Sequence, residues 1–315
     1  MKKIILIFCT VSGIISFSQD IHFSQNFTDR LYFNPSEIGL IGKGEYRFSM
    51  QRKSQWISVG TPFSTFSSSF ENKNIYKKIN LGMEFFSDKS GDSKLTLNQL
   101  NVALSTKFKI LRFDTLSLGF MFGFGQKKID YNNLIFEENE NFVTNNFIYP
   151  DMAFGINYFI NSQKINSYKI GFSSYHFNSP NNSFYDDDRS KLPIKNNFNF
   201  KGNYKISKKK NFIYEIIITK QSTEKEILFG VRPTIRVDEY FLYPLLYYRI
   251  NDSYIIGCGI EKNNLQANII YDLNTSDLSE ASNYRGGFEF SIIYVWKKKK
   301  KEKIKITEEK CPKYL

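Results

Sequence analysis

Histidine and cysteine are scarce in this chain: two histidines and three cysteines in 315 residues. His22 and His176 lack metal-ligand neighbours at useful spacing and read as rim or packing residues. No nucleophile–base pair can be argued from the sequence, so the chain reads as a non-enzyme. No glycine-rich loop follows a strand and opens a helix, which excludes a phosphate cradle, and no cofactor is implied. Long apolar runs are also missing. With 41% hydrophobic residues and a mean hydropathy of −0.38, a helical membrane protein is excluded. The acidic clusters, Glu137, Glu138 and Glu140 and then Asp186, Asp187 and Asp188, fall in long loops and read as solvated rather than as calcium sites.

What is abundant is aromatic: 31 Phe and 20 Tyr bring the aromatic share to 17%. Transmembrane barrels combine modest hydropathy with many aromatics, because only alternate residues face lipid and rings crowd the two interfaces. The N-terminus fits an exported protein. Lys2 and Lys3 precede a short apolar run that ends in Ser16-Phe17-Ser18, so residues 1–18 read as a signal peptide too short to span as a helix. Cys9 lies inside that run, which leaves Cys258 and Cys311 in the mature chain. Two cysteines make no disulfide framework, and no pairing is expected. Cys258 sits in a strand pattern as a small outward apolar residue. Cys311, in a polar tail, is a free or an intermolecular thiol.

The pattern is set by residues 113–125, where Leu116, Leu118, Phe120, Phe122 and Phe124 alternate with Ser117, Gly119, Met121, Gly123 and Gly125. A period of two is a strand with one greasy and one bare face. The glycines mark a place where the wall curves or a plug comes close. Similar alternation centres on Phe48, Met83, Val102, Phe154, Ile170, Phe200, Ile216, Phe229, Leu246, Ile256, Ile269 and Phe290. The stretch 62–70 is weaker, because Phe63, Phe66 and Phe70 do not keep one parity. The expected fold is all-β: a transmembrane antiparallel barrel of about 14 strands, most of roughly 9–13 residues. A soluble sandwich would put the apolar face inward on shorter strands, and an open sheet cannot span lipid.

Links after odd strands include the long stretches 128–150, 178–195 and 273–283, although those near 57–60, 223–224 and 251–252 are tight. Links after even strands are short, at 110–112, 162–166, 207–210, 237–239 and 263–264, with 73–79 the longest. Long loops on one side are the extracellular mark of a barrel. The short side carries Lys77, Lys78, Lys208, Lys209 and Lys210, a basic periplasmic rim, and an even strand count puts both termini there. Half of the net charge of +12 lies in residues 297–315, with nine Lys against three Glu. A nucleic-acid partner is implausible for an exported chain. The expected divisions are a segment 19–42, a barrel 43–296 and a basic tail 297–315.

Phe23-Ser24-Gln25, then Leu31-Tyr32-Phe33-Asn34-Pro35 and Gly39, resemble the start of mature PorP/SprF family proteins. Arg52, Gln55 and Trp56, followed by Pro62, resemble a second family segment, with Arg52 and Gln55 spaced slightly wide. Cys311 and Pro312 resemble a common ending, while Ser36-Glu37-Ile38 departs from the usual small stretch. The resemblance implies an outer-membrane barrel of type IX secretion and gliding motility, with no catalytic residues to carry over. It implies work alongside secretion machinery, and support for export or surface attachment of an adhesin. On that basis segment 19–42 would cap or plug the periplasmic mouth, with Asn34-Pro35 fixing its turn. Lys297, Lys298, Lys299, Lys300 and Lys301 would meet periplasmic ring or lipoprotein components, or phospholipid headgroups; a solvated stop after the last strand fits the same run equally well. The loops 128–150 and 178–195 would face the secreted partner. The other class left open is a porin or solute channel.

Overall fold

The computed structural model describes residues 20, 23–42, 44–55, 63–91, 94–130, 144–161, 166–185, 190–207, 209–275 and 286–298. Within them, fourteen strands form one closed antiparallel barrel in which every strand pairs with its sequence neighbours and the last closes on the first. They are β1 (Tyr46–Gln55), β2 (Phe63–Tyr76), β3 (Ile79–Ser90), β4 (Leu95–Lys109), β5 (Thr115–Lys128), β6 (Asn146–Asn161) and β7 (Asn166–Tyr175). They continue as β8 (Lys195–Lys205), β9 (Lys210–Gln221), β10 (Glu224–Val237), β11 (Tyr240–Arg249), β12 (Ser253–Lys262), β13 (Leu265–Asn274) and β14 (Gly287–Trp296). Ten rungs from Tyr46↔Trp296 to Gln55↔Gly287 make the closure. A single helical turn, α1 (Arg30–Phe33), and a 3-10 turn over Pro35–Glu37 precede the barrel. Their caps are local: the Asp29 carboxylate accepts from the Tyr32 N–H, and the Asn34 side chain accepts from the Ser36 N–H.

The alternation decides the facing. Phe120, Phe122 and Phe124 are exposed on the outer wall of β5, while Ser117 and Met121 are buried inside it. Leu100, Val102 and Leu104 repeat this on β4, and Phe198, Phe229, Leu246, Ile256 and Ile269 on later strands. Cys258 is a free, exposed thiol on β12. Rings gather at the outer ends of strands, as interfacial belts require. Tyr46 stacks on Phe70 and Trp296, and Tyr168 on Phe200, at the end where β1 begins; Tyr248 stacks on Tyr254 at the other.

One end carries the links 129–145, 176–194 and 275–286, and is called here the long-loop mouth. The other carries 77–78, 110–114, 162–165, 206–209, 238–239 and 263–264, and is the short-turn mouth. Two sequence expectations need correction. Residues 73–76 are strand rather than link, with a register shift between Asn72 and Tyr76, and Lys77 turns the chain at φ +50. His176, which follows Phe172 and Ser174 in alternation and so reads as part of that strand, lies one residue past β7, with φ +56. The parity conflict in the second strand also resolves. Phe66 and Phe70 share the outer parity of β2, while Phe63 is turned inward and lines a cavity at the long-loop mouth.

The ladder between β10 and β11 has a gap. β10 pairs with β11 at Val231↔Leu246 and again at Ile235↔Leu242, but not at the three rungs between. That register places Pro233 opposite Pro244. A pair that exchanges two N–H···O bonds needs two donors, and proline has none. Two prolines facing one another cannot make that exchange. Both prolines keep their places in the other ladders, Pro233 against Phe212 and Pro244 against Cys258. Pro244→Val restores one donor and is expected to raise stability by about 1 kcal/mol, read as a higher urea midpoint for the barrel in lipid vesicles. A lower midpoint would refute the assignment of the gap to the prolines.

Candidate functional site

The lumen is where this chain departs from an empty barrel. Residues 23–42 thread it, held by carboxylates that project from the wall. Glu289 of β14 accepts from the Ser24 and Gln25 backbone N–H groups, both at 2.9 Å. Glu71 of β2 accepts from the Gly39 N–H at 2.9 Å and from Arg47 at 2.8 Å. Arg47 also donates to the Thr28 carbonyl at 2.6 Å. These bonds satisfy a non-periodic backbone that no ladder could satisfy. Side chains add to them: the Asn34 amide donates to the Phe172 carbonyl at 3.2 Å, Ser117 donates to the Ser36 carbonyl at 2.7 Å, and Ser173 to the Phe33 carbonyl at 2.7 Å.

Apolar packing completes the seat. Leu31 and Ile38 are fully buried against Ala103, Met121, Ala153 and Tyr175. Phe27 and Phe33 pack on an inward apolar patch of Ile217, Leu228, Leu245, Tyr247, Ile255 and Ile270. The bare face of β5 now has a cause. A Cβ on Gly119 would lie 2.4 Å from the Pro35 carbonyl carbon and the Ser36 nitrogen, and one on Gly155 of β6 would lie 2.0 Å from Asn34 Oδ1. Glycine there admits the segment's backbone against the wall. Gly125 is different, since its space is taken by the Tyr149 ring.

The path of the segment corrects the expected plug at one mouth. Asp20 stands at the long-loop mouth, where its carboxylate meets His176 Nε2 at 2.7 Å and Lys195 at 3.7 Å. Residue 42, by contrast, lies beside the start of β1, and Lys73 donates to its carbonyl at 3.2 Å. The segment runs the length of the lumen, and Asp20 and Trp296 lie at opposite ends of the barrel. His176 Nδ1 is 2.8 Å from Asp151, so the imidazole bridges two aspartates rather than packing on a rim. Burial alone would lower its pKa; Asp20 and Asp151 override burial and raise it to about 9. Burial alone would raise the Asp20 carboxyl, yet the His176 and Lys195 cations hold it well below the usual carboxylate range.

The residues carried by the family resemblance divide accordingly. Phe23 is buried with its ring edge-on to Tyr32 and Phe86. Ser24, Gln25, Asn34, Pro35 and Gly39 are seating points of the segment, and Gly39 makes its turn at φ +75. Arg52 faces outward on β1, and Gln55 ends that strand. Lys297 and Lys298 are exposed past β14, with the Lys298 N–H donating to Glu45 at 2.8 Å. Trp56, Pro62, Lys299, Lys300, Lys301, Cys311 and Pro312 lie outside the described residues, as do His22 and the acidic loop clusters. The alternation in the sequence marks a bare face of Ser and Gly on β5 and does not reveal the buried carboxylates and arginines of other strands. Register brings them opposite one another: Arg47↔Glu71, Lys53↔Glu289 and Lys201↔Glu215. Each sits on the polar parity of its strand, which is the signal that could have found it.

Gly119→Ala should unseat the segment while sparing the outer wall, at a cost of about 1–3 kcal/mol. The check is trypsin cleavage after Arg30 in the folded barrel, slow in the parent and fast in the variant; equal rates would refute the seating. The His176 bridge has an alkaline limit. Its folded value of about 9 exceeds the ordinary 6.5, so its stabilisation is complete below pH 6.5 and is lost as pH rises through 9. It should amount to on the order of 3 kcal/mol, seen as a falling urea midpoint between pH 7 and 10. His176→Gln should flatten that dependence.

The family profile described as "Type IX secretion system membrane protein PorP/SprF" matches residues 15–294. No curated protein matches the chain. Among solved structures, the toluene transporter TbuX of Ralstonia pickettii is similar at 10% identity and TM-score 0.54, over 84% of this chain and 92% of that one. The Pseudomonas putida toluene transporter TodX is similar at 8% identity and TM-score 0.52, over 88% and 94%. The CymD monoaromatic hydrocarbon channel is similar at 6% identity and TM-score 0.54, over 86% and 93%. At such identities the likeness is one of fold, that of outer-membrane barrels. With a profile match spanning nearly the whole barrel and its luminal segment, the chain belongs to the PorP/SprF family of type IX secretion system membrane proteins.

Proposed function

We propose that this protein is an accessory component of type IX secretion and gliding motility in the outer membrane. In this reading it supports export or surface attachment of a partner adhesin and contacts periplasmic machinery at its short-turn mouth. The seated segment is the observation that carries the reading. A strand of chain clamped by Glu289, Glu71 and Arg47 along the lumen suits an anchor better than a free diffusion path. The lysines that follow β14 and the turn residues Lys77 and Lys209 give the short-turn mouth a basic rim, which suits an acidic protein partner or phospholipid headgroups. The long-loop mouth is then the side that faces the secreted partner.

A channel for small apolar solutes is the second reading. It has one observation in its favour, a cavity of about 220 Å³ at the long-loop mouth lined by Phe63, Phe86, Tyr149, Tyr175 and Leu192 among others. The similar folds of two toluene transporters and a monoaromatic hydrocarbon channel suit it as well. The two readings part in planar bilayers, where an anchor conducts little and a channel conducts steadily.

Deleting residues 297–315 tests the docking role. The barrel is expected to reach the outer membrane with its normal gel mobility, while surface display of the partner falls several-fold. Undiminished display would remove the tail from the mechanism.

A further inference from the structure

Between the luminal segment and the wall, at the short-turn mouth, lies a cavity of about 370 Å³. Five cationic side chains line it, Arg30, Arg47, Lys169, Lys201 and Arg232, against two carboxylates, Glu37 and Glu215. Most of these charges are matched. Arg47 and Arg30 share Glu71, at 2.8 and 3.7 Å. Lys169 is paired with Glu37, and Lys201 lies 3.7 Å from Glu215.

Arg232 is left over. Only 9% of it is exposed, its Nε has no hydrogen-bond partner, and no carboxylate lies within ion-pair distance among the described residues. Its guanidinium rests on the Phe27 ring, 4.1 Å from the centroid, a contact that orients the fork without neutralising it. Glu215, which feels the Arg232 charge, is already engaged by Lys201, and a buried cation so poorly compensated is expensive in a low-dielectric interior. Its planar donors match the paired oxygens of a carboxylate or phosphate. The space is larger than either group needs, and Phe27, Phe33, Ile213 and Ile217 also line it.

We infer that this cavity is a binding site for an amphipathic oxyanion, a small organic molecule carrying a carboxylate or phosphate on an apolar body. Arg232 is the anchoring donor, Lys169 and Lys201 add long-range attraction, and the rings of Phe27 and Phe33 receive the body. The site opens to the short-turn mouth, lined there by Tyr168 at the start of β7 and Val295 at the end of β14. A ligand there would touch both the segment and the wall and would hold the two together.

The test is calorimetric titration of the full-length protein in neutral detergent, with phenyl phosphate, inorganic phosphate and benzyl alcohol as probes. Phenyl phosphate is expected to bind at least about tenfold tighter than inorganic phosphate, and benzyl alcohol not to bind measurably. Arg232→Gln is expected to weaken phenyl phosphate at least about tenfold. Arg232→Lys should be intermediate, and Lys225→Gln at the opposite mouth should bind like the parent. Heat-modifiable gel migration reports that each variant is folded. Benzyl alcohol binding as tightly as phenyl phosphate would overturn the proposal, as would unchanged affinity in folded Arg232→Gln.

Discussion

A sheet in hydrocarbon has no water to satisfy an open edge, and the ten rungs between β1 and β14 remove the two edges this sheet would have. Once the ring is closed, the outer surface must be apolar and the inner surface need not be. The greasy parity of every strand is then forced outward, and everything polar is gathered into a space of fixed width. Polar groups in that space lose bulk water on all sides but two. They must therefore satisfy each other, and the structure is largely the record of how they do so.

The solution has two layers. Charges on adjacent strands stand opposite one another in register, so that Glu71 meets Arg47 and Glu215 meets Lys201. The remaining acceptor capacity is turned toward the axis, where Glu289 and Glu71 receive the N–H groups of residues 24, 25 and 39. A segment with only two short helical turns of its own is thereby given partners along its length. Its hydrophobic residues fill what polar contacts leave, with Leu31 and Ile38 on one side and Phe27 and Phe33 on the other. The lumen is thus occupied by a seated segment with cavities left beside it, inside a wall whose exterior meets lipid.

How much of this was legible follows from the range of each cue. Facing was readable because period-two alternation is local, as β5 and β8 show. Loop asymmetry was readable because it is only a count of residues between patterns. The second strand was harder, since Phe63 turns inward to a cavity while Phe66 and Phe70 face out, and one ring on the wrong parity blurs a short pattern. Pro233 and Pro244 gave no warning of a shared gap, because their opposition depends on a register that sequence does not reveal. The Asp20–His176–Asp151 bridge joins positions 25 and 156 residues apart. No spacing rule could assemble it. The glycines of β5 and the phrase around Asn34-Pro35 were both visible as anomalies. What joins them is contact across 83 residues, between Ser36 and Gly119.

The clamp on the luminal segment ties the beginning of the chain to its end, since Ser24 and Gln25 bond to Glu289 across 265 and 264 residues. Those bonds cannot exist until β14 has been made and delivered, so residues 24 and 25 wait for a strand near the other end of the chain. Long-range pairing of this kind is slow to form, and here it engages the same strand that closes on β1. The segment touches both flanks of that joint, Arg47 on one side and Glu289 and Ser291 on the other. Seat and seam therefore draw on the same two strands.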